Sequence, residues 1–345
     1  MNTEHLTDYA GLPVVDFPFS NAVEGPRPQT WEDEARHEQE GAAALDRAKE
    51  APASVAWRLR SVEDAADFPS YVERFVREVD TRAVTALVVG DWGLHHDVEI
   101  SFAAARDALI AHVAAFPALR SMFLGDVTYE ECEISWLEQC DMAPLLAAYP
   151  NLVALTTRGV DGIIGKPGLA LHVPEHTGLR SLTVQTGGLP GRVTREIVSS
   201  GLPNLERLEL WLGQEEYGGD TTIDDLHPVL SGDAFGGLVH LGLRNAENTG
   251  DLLKALVESA LLPRLRSVDL SMGTLRGRDV ELLLTSIPKL AHLDDLNFEH
   301  HYLTKAETER VQAAFDAAGV SIDLSEPQEA VEYDGTAHFY PAVGE

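Results

Sequence analysis

With 345 residues, the chain is long enough for a sizeable core, and its 56 acidic against 26 basic side chains leave a net charge of −30. Charge of that sign repels phosphate backbones and anionic headgroups, which argues against nucleic acid and membrane surfaces and for basic or metal-bearing protein partners. It also serves solubility alone, and a content of 44% hydrophobic and 24% charged residues is otherwise ordinary for a folded protein.

Cys132 and Cys140 are the only cysteines, too few for a disulfide framework and not in a C-x-x-C pair. The start, Met1-Asn2-Thr3-Glu4-His5, lacks the basic and apolar regions of a signal peptide. No apolar run approaches the roughly 20 residues that span a bilayer, so the cytoplasm is the expected compartment.

In chain order, Gly11 to Pro18 reads as an extended apolar arm. Residues 20–52 are acidic, contain Pro26, Pro28 and Pro52, and read as a loop with a short helix. Val55–Leu59 reads as a strand and Tyr71–Val79 as a helix. Residues 1–80 are thus expected to form an arm and cap.

From residue 81 to 324 one pattern recurs: apolar, two variable, apolar, one variable, apolar. Its copies are Val84, Leu87, Val89; Leu119, Met122, Leu124; Leu152, Leu155, Thr157; Leu179, Leu182, Val184; Leu205, Leu208, Leu210; Leu238, Leu241, Leu243; Leu265, Val268, Leu270; and Leu293, Leu296, Phe298, or one register earlier from Leu290. First positions lie 35, 33, 27, 26, 33, 27 and 28 residues apart, mostly within the leucine-rich-repeat range. Ile322 and Leu324 read as a last strand. Alternating apolar residues point inward from short strands.

The intervening segments carry helical spacing, as in Leu109, Ile110 and Val113, in Leu252, Leu253, Leu256 and Val257, in Val280, Leu283 and Ile287, and in Val311 and Phe315. Pro117, Pro150, Pro203, Pro263 and Pro288 stand before strands, where proline ends a helix. The expected fold is an α/β leucine-rich-repeat solenoid, a horseshoe with parallel strands on the concave face and helices on the convex face. Its long helical returns are of the ribonuclease-inhibitor style, although the usual asparagine ladder is mostly missing. Residues 325–345 follow as an acidic tail whose Tyr333, Phe339 and Tyr340 suggest docking on the body or recognition by another molecule.

Strand residues between the core positions face the concave side: Thr156, Arg158, Thr183, Gln185, Arg207, Glu209, Trp211, His240, Arg244, Ser267, Asp269, Ser271, Asp295, Asn297 and Glu299. A polar strip bearing Trp and Arg is where such solenoids bind proteins; the plainer alternative is a solvated face with internal ion pairs. Asp126, Glu130, Glu131, Glu133, Glu138 and Asp141 surround Cys132, Trp136 and Cys140 in what reads as a rim loop after a strand. Clustered carboxylates can take Ca²⁺ or Mg²⁺, but the spacing matches neither an EF-hand nor a zinc knuckle, and no metal or cofactor is expected.

His95-His96 and His300-His301 sit far apart in the array, and adjacent side chains on a strand diverge. The glycines at 187, 188 and 191 and at 218 and 219 form neither a phosphate-binding loop nor a dinucleotide fingerprint. No G-x-S-x-G is present, and no catalytic set assembles.

Several strings resemble a bacterial leucine-rich-repeat family of unassigned function, the STM-type family. They are Gly11-Leu12-Pro13 to Phe17-Pro18, Phe123-Leu124-Gly125-Asp126, Glu131 to Trp136, Thr186 to Gly191, Leu208 to Gly213, Tyr217 to Asp220, Leu241 to Asn245, Asp269 to Gly273 and His300 to Leu303. Members of that family tend to end in Tyr-Val-Ala-Val-Ser-Glu; this chain ends Tyr340-Pro341-Ala342-Val343-Gly344-Glu345, altered at two positions. The resemblance implies no activity of its own, but a place beside radical-SAM, ATP-grasp and sulfatase-like enzymes. The expected function is therefore a non-catalytic protein-binding adaptor acting with a neighbouring enzyme. The alternative is a protein substrate or carrier whose tail such an enzyme modifies or grips.

Overall fold

The computed structural model describes residues 4–18, 31–60, 67–91, 102–162 and 168–344, with residues 31–40 described by their backbone alone. Its strands are β1 (Asp8–Tyr9), β2 (Leu12–Phe17), β3 (Ala56–Leu59), β4 (Ala86–Gly90), β5 (Ser121–Asp126), β6 (Ala154–Arg158), β7 (Ser181–Gln185), β8 (Arg207–Gly213), β9 (His240–Ala246), β10 (Ser267–Asp269), β11 (Asp295–Asn297), β12 (Val331–Tyr333) and β13 (Thr336–His338). Its helices are α1 (Trp31–Glu50), α2 (Phe68–Glu78), α3 (Phe102–Ala111), α4 (Ala143–Ala148), α5 (Gly191–Val198), α6 (Ile223–Leu230), α7 (Thr249–Glu258), α8 (Val280–Leu290) and α9 (Lys305–Ala318).

Strands β1 to β11 form one sheet in chain order. Only β1 pairs antiparallel, with β2; every later pair is parallel and the sheet stays open. The recurring apolar spacing explains this register. Trp57, Leu87, Met122, Leu155, Leu182, Leu208, Leu241, Val268 and Leu296 are partners from strand to strand and form a single stacked row. None of them exceeds 1% exposure. A one-residue slip would turn that row away from the core, so the register is strongly specified.

The helices contribute Phe75, Leu109, Leu145, Ile197, Leu226, Leu253, Leu283 and Phe315 to the same apolar cluster, with α2 to α4 and α5 to α9 each packed against the next in sequence. Capping boxes fix two helix starts, Thr222 with Asp225 at α6 and Thr304 with Glu307 at α9.

Several expectations change. The short helix within 20–52 is α1, twenty residues long. The apolar arm is strand β2, part of the sheet itself. Pro288 does not end its helix but lies inside α8, where it forgoes one helical bond two residues before the helix stops. Ile322 and Leu324 are buried but make no strand: the pairing continues through the isolated parallel bridges Asn297↔Asp323 and His301↔Pro327. Glu326, at φ 54, interrupts the extended chain between these two bridges. The tail is not a plain polar stretch. β12 and β13 form a hairpin closed by Asp334-Gly335, both at positive φ, the conformation that a two-residue hairpin turn requires. His95, His96, Pro26 and Pro28 lie outside the described residues.

Candidate binding surface on the distal face of the sheet

The residues alternating with the core row form the sheet's distal face, turned away from the apolar core. In its C-terminal half their side chains are spent on one another. Arg244 Nη1 donates to Glu209 Oε1 at 3.1 Å and its Nε to Ser271 Oγ at 2.9 Å, with Asp269 Oδ2 at 3.5 Å. Trp211 Nε1 donates to the same Glu209 oxygen at 2.8 Å, and the Arg244 guanidinium lies 5.4 Å from the Trp211 ring. Asn297 Nδ2 reaches Asp269 at 3.4 Å, while Asn297 Oδ1 accepts from the backbone N–H of Glu299. His240 is buried beside Ser267, and burial lowers its pKa. Arg207 is exposed and Glu299 half-buried.

Further toward the N-terminus, Arg158 Nε donates to Gln185 Oε1 at 2.8 Å, and its guanidinium lies 5.5 Å from the Phe123 ring. Burial lowers the Arg158 pKa.

Residues 4–9 cover the N-terminal end of this face. Arg58, at the middle of β3, donates Nη1 to Asp126 Oδ2 at 2.9 Å and Nε to Asp16 Oδ1 at 2.5 Å. Asp126 is fully buried and accepts from the backbone N–H of Leu6. His5 lies 3.5 Å from Asp126 and 3.0 Å from Glu131, and Arg60 reaches Glu131 at 3.3 Å. Tyr9 packs on Phe123 at 6.0 Å.

Burial opposes every charge here, yet the pairing wins. His5 is raised to about 9 by Asp126 and Glu131, and both carboxyls are held below their usual range. Strand alternation alone would turn Asp126 toward the core. Gly125, at φ 116, supplies the extra residue that pairs Gly90 with Asp126 and turns the carboxylate outward.

The C-terminal tail covers the other end. Trp211 is therefore only 8% exposed: Val343 and Ile134 pack against it, with Met272 and Ala342 at the margin. Asn245 Nδ2 donates to the Val343 carbonyl at 2.5 Å, and Asn245 Oδ1 accepts from the Val343 N–H at 2.9 Å. The Ala342 N–H donates to the Met272 carbonyl at 2.9 Å. Tyr302 Oη donates to the Tyr340 carbonyl at 2.8 Å and accepts from the Tyr340 N–H at 3.0 Å. Phe339 lies between the Tyr302 ring at 5.1 Å and the Arg276 guanidinium at 4.7 Å.

The rim segment following β5 touches both termini, with Glu131 on His5 and Ile134 on Val343. Its carboxylates are spent on cationic side chains and backbone: Asp126 and Glu131 flank His5 and hold Arg58 and Arg60, and Asp141 accepts from the N–H of Ala143. Among the described residues no three His, Cys, Asp or Glu side chains group as metal ligands. Glu133 is half-buried, and Trp136, at 67% exposure, projects into solvent. In the tail, Tyr333 is 70% exposed, Tyr340 44%, and Phe339 half-buried. His301 is buried between the Leu324 carbonyl and the Leu303 N–H, whereas His300 meets the Gly273 carbonyl, so the pair diverges.

His5, Asp16, Arg58, Arg60, Asn245, Met272 and Tyr302 escape sequence reading as parts of this face. Arg58 alternating between Trp57 and Leu59 was the available signal, as was Gly125 before Asp126. Contacts such as Asn245 to Val343, 98 residues apart, have no local signature.

Taken together, these observations define a repeat-like α/β protein with a long, mostly parallel, open sheet whose distal face is covered at each end by its own termini. A protein from Bacteroides fragilis, solved by crystallography as a structural-genomics target, is similar in structure. Its TM-score is 0.69 at 26% identity, covering 89% of this chain and 86% of that one. No protein-family model and no curated protein matches the chain. Among the described residues no helix is long and apolar enough to cross a membrane.

Proposed function

We propose that this protein is a non-catalytic adaptor of the bacterial cytoplasm that binds a protein partner. On this reading its fold is a leucine-rich-repeat horseshoe of the STM type, with residues 1–80 as arm and cap, 81–324 as repeats and 325–345 as tail. The partner is a protein, an enzyme encoded nearby being the candidate that the family resemblance suggests.

The observation that supports the reading is the set of large aromatic side chains left in water. Trp136 is 67%, Tyr333 70% and Tyr340 44% exposed, in a chain that buries Trp57, Phe75, Phe298 and Phe315 almost completely. Exposed Trp and Tyr are favoured anchors of interfaces. Affinity capture from host lysate tests it, with wild-type protein and a Trp136→Ala/Tyr333→Ala/Tyr340→Ala variant as baits. A specific partner retained by the first and lost by the second is the expected outcome; equal capture rejects the reading.

The exposed β12–β13 hairpin favours a second reading, in which the tail is gripped or modified by a partner enzyme. Intact mass of the protein from its own host decides that: an unmodified mass under producing conditions counts against it.

A further inference from the structure

Beyond the exposed aromatics, the strand ends under the tail form a site with the chemistry of peptide recognition. Three residues there hold left-handed backbone without being glycine: Asn245 at φ 55, Met272 at φ 64 and His300 at φ 62. They recur 27 and 28 residues apart at successive strand ends. Such conformations are unfavourable for residues with a Cβ and persist where the surroundings impose them, often at ligand clamps. Two of them touch the tail and the third supports a residue that does. Asn245 binds both polar atoms of Val343, Met272 offers its carbonyl to Ala342, and the His300 ring packs edge-on, 5.8 Å away, against Tyr302, which binds both polar atoms of Tyr340.

The contacts fall into two kinds. Residues 340, 342 and 343 are held through the backbone, which fixes an extended segment whatever its sequence. Selectivity comes from side chains: Val343 fills the space between Trp211 and Ile134, and Phe339 fits between Tyr302 and Arg276. Close approach matters too, since a Cβ on Gly187 would stand 2.4 Å from the Gly344 carbonyl. The tail is tethered by a hairpin in which Val331–Ala337 are all exposed, so its release disrupts little outside the site.

We infer that the cradle of Trp211, Asn245, Met272 and Tyr302 is a peptide-binding site, occupied in cis by residues 339–344, and that it takes the same segment from another chain when its own tail is displaced. The ligand is an extended segment with an aromatic residue, then four positions later a β-branched apolar one, with a small residue next. An aliphatic-rich but differently spaced segment is rejected, because the two pockets are set that far apart along the strand ends.

The test uses the full-length chain. Val343→Asp places a charge between Trp211 and Ile134 and should free the tail, seen as a red shift of tryptophan emission. A fluorescent synthetic peptide of residues 336–345 is then titrated by polarisation into wild-type and variant protein. The expected result is binding to Val343→Asp at least tenfold tighter than to wild type, whose site is filled. Adding Asn245→Ala should weaken it roughly tenfold, the loss expected when two backbone hydrogen bonds go. A scrambled peptide should not bind. Three outcomes overturn the inference: an emission spectrum unchanged by Val343→Asp, a freed site that ignores the peptide, or peptide binding insensitive to both Asn245 and sequence order. Circular dichroism that matches wild type keeps a failed fold from passing as a negative; should Val343→Asp misfold, Val343→Ser replaces it in the same assay.

Discussion

The two ends of the distal face are closed by opposite means. At the N-terminal end the cover is electrostatic: a fully buried Asp126 and a nearly buried Arg58 sit in a network with Asp16, His5, Glu131 and Arg60. At the C-terminal end it is a backbone-to-side-chain clasp around one apolar anchor, Val343. Buried charges are costly once unpaired, so the first cover is locked to the fold. Neutral hydrogen bonds and one valine contribute far less and can exchange with water or with a similar segment. One face is thus permanently closed at one end and reversibly closed at the other.

The largest expected break in that comparison is Asp126→Ala. It strands the Arg58 guanidinium in the interior and should cost about 3–5 kcal/mol, read as a lower urea midpoint. Replacing Arg58→Met with Asp126→Leu together should recover most of the loss; a cost below about 1 kcal/mol for the single variant would show that the network is not what locks the arm.

Acidity sharpens the same contrast. His5 is raised to about 9, so its contribution is complete below its unfolded value near 6.5 and disappears as pH rises through 9. Asp126 and Glu131 are depressed, so theirs is present above the unfolded carboxylate range and is lost as pH falls below it. Arm docking should be strongest between about pH 5 and 6.5, with at most about 3 kcal/mol lost by pH 9.5. Urea unfolding of wild type and His5→Ala at pH 6 and pH 9.5 checks this, the difference between them shrinking at the higher pH; a constant difference contradicts it.

At the other end, Arg244→Ala leaves Glu209 and Asp269 without their shared cation. These groups are partly hydrated, with side-chain exposures of 20%, 18% and 14%, so about 1 kcal/mol is expected, and less in high salt. A salt-independent loss would mean that packing on Trp211 matters more than charge. Smallest of all, Trp136→Ala should change stability by less than about 0.5 kcal/mol, since the ring touches mostly water. A larger loss would place Trp136 in the fold rather than at an interface.

From the sequence alone came the row of core residues, the strand order and the helical returns, because a period-two pattern repeated every few tens of residues allows one register only. The same alternation assigned Glu209, Trp211, Arg244, Asp269 and Asn297 to one face. It could not say that Trp211 is covered, since its cover arrives from Val343, far along the chain. Nor could it say that Asp126 leaves the alternation through the bulge at Gly125 to meet Arg58, nor that Asn245 takes a left-handed conformation to hold the tail. Periodicity is local and survives in sequence; the partners of buried charges and the docking of the termini are set by long-range pairing, which only the folded chain brings together.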